Sequence, residues 1–245
     1  MRIALPALLV RALILAAVAL SLFSAASPSR AEEAERGVEK IGPHLYRVGT
    51  VLLNAEERTV HCSGVVNMAE GAPIELLACT PRGKTHESVF TLDVRPLDLQ
   101  VALLLLGLRD GRNPAYHYPA DSADGAKATA DTARIFVEWS AGEGGGEKSG
   151  EQEPPEGGDA GEETVRAPAE AFLYNIPEER PERAASWSFL GSRWVGERFG
   201  AEVDGSLITT YHDPLAILEL ALPTVNDDVY YSVNTEICPP VGTEV

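Results

Sequence analysis

Cys79, His86, Glu87 and Ser88 are the side chains whose types and spacing could do chemistry. An imidazole beside a thiol can take its proton and leave a thiolate nucleophile. The same two groups can bind a metal such as zinc or copper, with His61 or Cys62 from a neighbouring strand completing the shell. A plainer reading competes, in which the Cys packs and the His is hydrogen-bonded in an ordinary strand pair. Cys is among the most buried residue types and the spacing matches no established zinc motif, so the plainer reading is preferred. Tyr211-His212-Asp213 sets a His beside a carboxylate, which could act as an oriented base. Neighbours on a strand point apart, however, and Asp213 before Pro214 reads better as a helix cap. No GxSxG, HExxH, P-loop or CxxC run occurs, so the common hydrolase, metalloprotease, nucleotide-binding and thioredoxin-type classes have no support.

These residues depend on two strands and a turn to bring them together. Ile74–Thr80 and Thr85–Val94 carry the apolar, β-branched and aromatic residues of strands. Pro81, Arg82, Gly83 and Lys84 between them predict a tight hairpin. A symmetric turn sets Cys79 opposite His86 and Leu77 opposite Ser88, all four on one face, with Glu87 on the other. A helix over 95–108 follows, with Pro96 at its first position and Asp98 in its first turn. Leu97, Val101, Leu104, Leu105 and Leu108 form one stripe. Leu99, Ala102, Leu103 and Leu106 fill most of the rest, which predicts burial on more than one side. The helix is too short to span a bilayer.

At these residues the chain resembles a known family. The run LLACTPRGKTHESVF, followed by RPLDLQVALLLLGL, is similar to the YdjY-type domain of exported bacterial proteins. The stretches WSFLGSRW, AEVDGSLITTYHDPLAIL and PPVGTEV agree with it. The resemblance covers roughly Ile41 to Val245 and is most specific in CTPRGKTHES. It implies an architecture and an exported location, and it carries no catalytic residues.

The remainder of the chain sets the surroundings. Arg2 and Arg11, the apolar run Ala12–Phe23 and the small residues Ser29 and Ala31 form a secretory signal peptide over 1–31. Cleavage after Ala31 leaves a domain over 32–245, and cleavage after Ala26 is the alternative. No cysteine follows the apolar run, so a lipid anchor has no support. The chain carries 20 basic and 37 acidic residues, a net charge of −17. That surface repels phosphate backbones and anionic lipid, which disfavours nucleic-acid and membrane-surface partners. Cys62, Cys79 and Cys238 permit at most one internal disulfide, and buried free thiols are preferred.

Strands are expected over Leu45–Leu53, Thr59–Met68, Ala133–Ser140, Ala185–Trp194, Gly205–Tyr211 and Val229–Asn234. Short helices are expected at Pro168–Asn175 and from Asp213 to Leu220. Residues 109–133 form a turn-rich loop, in which Asp121-Ser-Ala-Asp124-Gly125 lacks the ligand pattern of a calcium loop. The segment 141–163 is rich in Gly, Glu and Pro and has no apolar face to bury, so it reads as a disordered insertion between two strands. No internal repeat is evident.

The fold class is therefore α+β: a largely antiparallel, curved sheet packed on one buried helix, with two packed sheets as the alternative. Two functions remain. One is a non-catalytic exported envelope domain, periplasmic or extracellular, that binds a partner or small ligand. Acidity, export and the aromatic residues Trp187, Phe189, Trp194, Tyr230 and Tyr231 motivate it. The other is a metal-binding or thiol-dependent enzyme built on Cys79 and His86.

Overall fold

The computed structural model describes residues 37–143 and 163–245. The expected leader over 1–31 lies outside them, as does nearly all of the expected insertion. Residues Val38–Val245 form a single contact unit.

Its sheets are mostly antiparallel and its helices few. Four short strands make the first sheet in chain order: β1 (Val38–Lys40), β2 (Leu45–Val48), β3 (Val51–Asn54) and β4 (Thr59–His61). The expected strand over Leu45–Leu53 is two strands, because Gly49 turns the chain at φ +60°. That glycine also lets the turn approach Asp98 of the helix, where a Cβ would collide with the carboxylate. The expected strand over Thr59–Met68 is likewise divided. Its first part is β4; its second, β5 (Gly64–Val66), belongs to another sheet.

The second sheet is the centre of the molecule. Its order is β5–β7–β6–β16–β17–β13–β8, with β6 Leu76–Cys79, β7 Ser88–Leu92, β8 Thr132–Ala133, β13 Trp187–Phe189, β16 Ser206–Thr209 and β17 Leu218–Leu220. Here the expected hairpin is corrected. β6 and β7 pair in parallel, Leu76 opposite Ser88 and Cys79 opposite Thr91. Pro81-Arg82-Gly83 does turn the chain, and Gly83 N donates to Thr80 O at 2.9 Å. The turn then closes onto the segment before β16 rather than onto β7. Thr80 N donates to Gly205 O at 2.9 Å, and a Cβ on Gly205 (φ +79°) would stand 2.5 Å from Thr80 Oγ1 and 2.6 Å from Gly83 Cα. A 3₁₀ turn over Thr85–Glu87 carries the chain back to the start of β6 before β7 begins.

The same plan occurs twice. β5 is antiparallel to β7, and β6 is parallel to it. β13 is antiparallel to β17, and β16 is parallel to it. The middle strands of the two triplets, β6 and β16, pair antiparallel at the sheet centre. The second parallel pair requires a strand where a short helix was expected before Leu220. Leu and Ala favour helix weakly, and pairing on both edges overrides that preference. The internal repetition is one of topology and leaves no sequence period to detect.

The remaining strands are peripheral. β9 (Phe136–Ser140) and β10 (Thr164–Pro168) form an antiparallel ladder, with Ser140 opposite Thr164. β11 (Leu173–Asn175) lies between β12 (Arg180–Pro181) and β18 (Tyr231–Val233). A two-stranded ribbon joins β14 (Trp194–Val195) to β15 (Arg198–Phe199). The short helix expected at Pro168–Asn175 is a 3₁₀ turn over Ala169–Phe172 followed by β11.

The expected central helix is α1, Pro96–Leu105, which lies against β2, β3 and the short helix α2 (Gly200–Asp204). Leu99, Ala102 and Leu103 are buried, whereas Leu104 and Leu105 are 44% and 51% exposed. The leucine content of the helix therefore exceeds what its packing buries. Among the described residues no helix is long and apolar enough to cross a membrane.

Candidate functional site

Cys79 lies on β6 with no exposed surface. Burial pushes its thiol up, the charge of Glu87 adds to the effect, and the Ser88 hydroxyl offsets part of it. His86 stands outside, in the 3₁₀ turn, its side chain 78% exposed and Nε2 3.8 Å from Glu87 Oε2. The parallel pairing explains the separation. Cys79 sits at the end of its strand and faces Thr91, while His86 precedes β7 at the level of the start of β6. Ser88 Oγ donates to Lys84 O at 2.8 Å. Glu87 and Glu75 hold Lys84 Nζ at 3.3 and 3.2 Å, and the ammonium donates to Tyr211 OH at 3.2 Å. These bonds bind the turn to the segment following β16 and hold the Lys84 ammonium well above the usual lysine range despite its partial burial.

His61 and Cys62, placed in the same candidate shell by sequence, lie at the end of β4. His61 is exposed and its Nε2 is 3.1 Å from Thr59 Oγ1. Burial raises the Cys62 thiol to about 12 and the Cys238 thiol to about 11. All three cysteines are free. Among the described residues no group of three or more His, Cys, Asp or Glu is assembled that could hold a metal.

Sequence reasoning missed two arrangements. The first is a buried polar cluster on β17. Glu219 has no exposed side-chain surface, yet every contact needed by a buried carboxylate is present. His212 Nδ1 stands 2.8 Å from Oε2, and since a carboxylate only accepts, the ring nitrogen donates. Asn113 Nδ2 donates to Oε1 at 2.6 Å, and Asp213 N donates to Oε2 at 3.2 Å. Tyr116 stacks on the imidazole with ring centres 3.6 Å apart, and Tyr118 meets it edge-on. The His212 partner is thus Glu219 rather than the adjacent Asp213, whose carboxylate caps the next turn by accepting from Leu215 N at 2.8 Å. The cluster fastens the 109–131 loop to the main sheet. Asp124 in that loop bonds Lys127 and Arg193, so the carboxylate of the weak calcium pattern is already engaged.

The second arrangement is a cavity of about 600 Å³ between α1, the main sheet and the β8–β9 segment. Leu77, Phe90, Leu99, Leu103, Ile208 and Leu218 form its walls. Arg58, Arg134, Arg166, His61, Cys62 and Glu138 also border it. Its size is that of a small-molecule site. No spacing rule could have found it, because its walls come from six separate strands and one helix.

A β-rich domain holding an apolar cavity beneath its principal helix is the class of protein defined by this geometry. The YdjY domain family model matches residues 51–245, and the chain belongs to that family. No curated protein matches the chain. No solved structure matches it.

Proposed function

We propose that the chain is an exported, non-catalytic binding domain that holds a small ligand between α1 and the main sheet. The observation that carries this reading is the apolar cavity of about 600 Å³. A protein interior is normally packed without voids larger than a water, so an unfilled apolar space of this size is expensive unless something occupies it. In this reading the long sheet curves about α1, so that helix and sheet enclose the ligand. The chain works outside the cytoplasm, in the periplasm or beyond the cell, after losing residues 1–31. Its charge of −17 supports a role away from nucleic acid and anionic membrane surfaces.

The test is native mass spectrometry of protein recovered from the exported fraction, with N-terminal sequencing of the same material. A bound small molecule that is lost in Leu106→Trp, a substitution at the half-buried cavity wall, and a chain beginning at Glu32 are the expected results. A wild-type chain that carries no ligand and takes up no apolar probe removes the binding role. A chain beginning at Met1 removes the signal-peptide step.

A further inference from the structure

The charge around the cavity runs against the charge of the molecule. Acidic residues outnumber basic ones by 37 to 20 over the whole chain. At the cavity the balance is reversed: Arg58, Arg134 and Arg166 border it and Glu138 is the one carboxylate among the bordering residues. Glu138 is taken, since Arg166 Nε pairs with it at 3.1 Å. Among the described residues no carboxylate forms an ion pair with Arg58 or Arg134. Arg58 Nη2 donates only to Leu106 O at the end of α1, at 3.5 Å. Arg134 lies over the Phe136 ring at 5.9 Å, and Arg166 stacks on the same ring at 4.1 Å. Phe136 is itself 43% exposed, so an apolar ring flanked by guanidinium groups lies where the cavity meets solvent. Arg58 adopts φ +57°, a left-handed conformation that costs a non-glycine residue energy.

The ligand these features fit has two ends. Its body must be apolar, because the deep wall offers leucine, isoleucine and phenylalanine side chains with no polar group to satisfy. Its head must carry negative charge, because two guanidinium groups without ion-pair partners stand at the border. A guanidinium presents its N–H groups in a fork that matches the oxygens of a carboxylate or a phosphate. Resting on the ligand-binding role proposed above, we infer that the cavity takes an anionic amphiphile: an alkyl or similarly apolar tail ending in an oxyanion held by Arg58 and Arg134.

Titration calorimetry of the full chain with decanoate, decyl phosphate and decan-1-ol tests the head and the cavity separately. The two anions are expected to bind about tenfold or more tightly than the alcohol. The paired substitution Arg58→Gln and Arg134→Gln is expected to erase that preference and leave the alcohol's affinity unchanged. Both residues are exposed, and a melting temperature equal to wild type shows that the double variant is folded. Leu106→Trp is expected to weaken all three ligands. Preference for decanoate alone, for decyl phosphate alone or for both supports the inference and tells a fatty-acid head from a phosphate head. An alcohol that binds as tightly as the anions, with no effect of the arginine substitutions, overturns the anionic head while leaving the cavity role standing. Failure of all three ligands to bind, or binding indifferent to Leu106→Trp, overturns the cavity role and the head together.

Discussion

One side chain inside and one in solvent is the outcome for Cys79 and His86, and it sets what each residue does. A thiol raised by burial carries little thiolate at neutral pH, so it neither attacks nor binds metal readily. Cys79 in the folded protein is therefore expected to react with iodoacetamide at least about a hundredfold more slowly than in urea, followed by mass spectrometry of the labelled peptide. His86→Ala is expected to change stability by less than about 0.5 kcal/mol in a denaturant titration, since the imidazole is largely exposed. Burial of Cys79 was legible from its residue type. The exposure of His86 was not, because it depends on the direction in which two strands pair. Arg82-Gly83 identified a turn, and the turn is there. An eight-residue return also argued for a hairpin, since parallel strands usually need a connection of a dozen or more residues. What decides the direction is the contact between Gly83 and Gly205, residues far apart in the chain. Gly205→Ala is expected to cost about 2 kcal/mol or more, because the added methyl meets Thr80 and Gly83 and the backbone is left-handed.

At the scale of elements, the 109–131 loop is the piece held by chemistry rather than by pairing. His212 and Asn113 meet on Glu219, a carboxylate with no access to water. His212→Ala leaves that charge short of a donor and is expected to destabilise the fold by about 3 kcal/mol. Glu219→Gln keeps the shape and removes the charge, with a smaller loss of about 1 kcal/mol. Hydrogen exchange in the loop separates a local detachment from global unfolding. Acid acts on the same loop through Asp124. Lys127 hydrogen-bonds its carboxylate and, with Arg193, holds it below the ordinary value of 3.8. A depressed folded value means stability that is present above the unfolded value and lost as pH falls through the folded one. Wild type is expected to lose stability below about pH 4 more steeply than Asp124→Asn, read from denaturation midpoints across that range. The role of Asp213 as a cap was legible from the following proline. The role of Glu219 was not: Leu218-Glu219-Leu220 alternates as a strand should, but a buried Glu is rare enough that the segment read as helix.

At the scale of the whole molecule, the domain is assembled about a repeated strand plan, with a cavity on one side of it. That plan was invisible in sequence because β5–β6–β7 and β13–β16–β17 share pairing directions rather than residues. The compositional break at 141–163 was legible, and its placement between two strands follows from the β9–β10 ladder. The ladder closes tightly at its open end, where Ala141 N donates to Glu163 O at 2.8 Å. Loop closure costs little more for a long loop than for a short one, so replacing 144–162 by a short glycine turn is expected to shift the melting temperature by less than about 3 °C. The same ladder carries Phe136, Glu138 and Arg166 at the cavity border. Any group grafted between Ser140 and Thr164 is consequently tethered by a rigid ribbon to the entrance itself. A fluorescent reporter inserted there would sense filling and emptying in real time, turning the domain into its own assay.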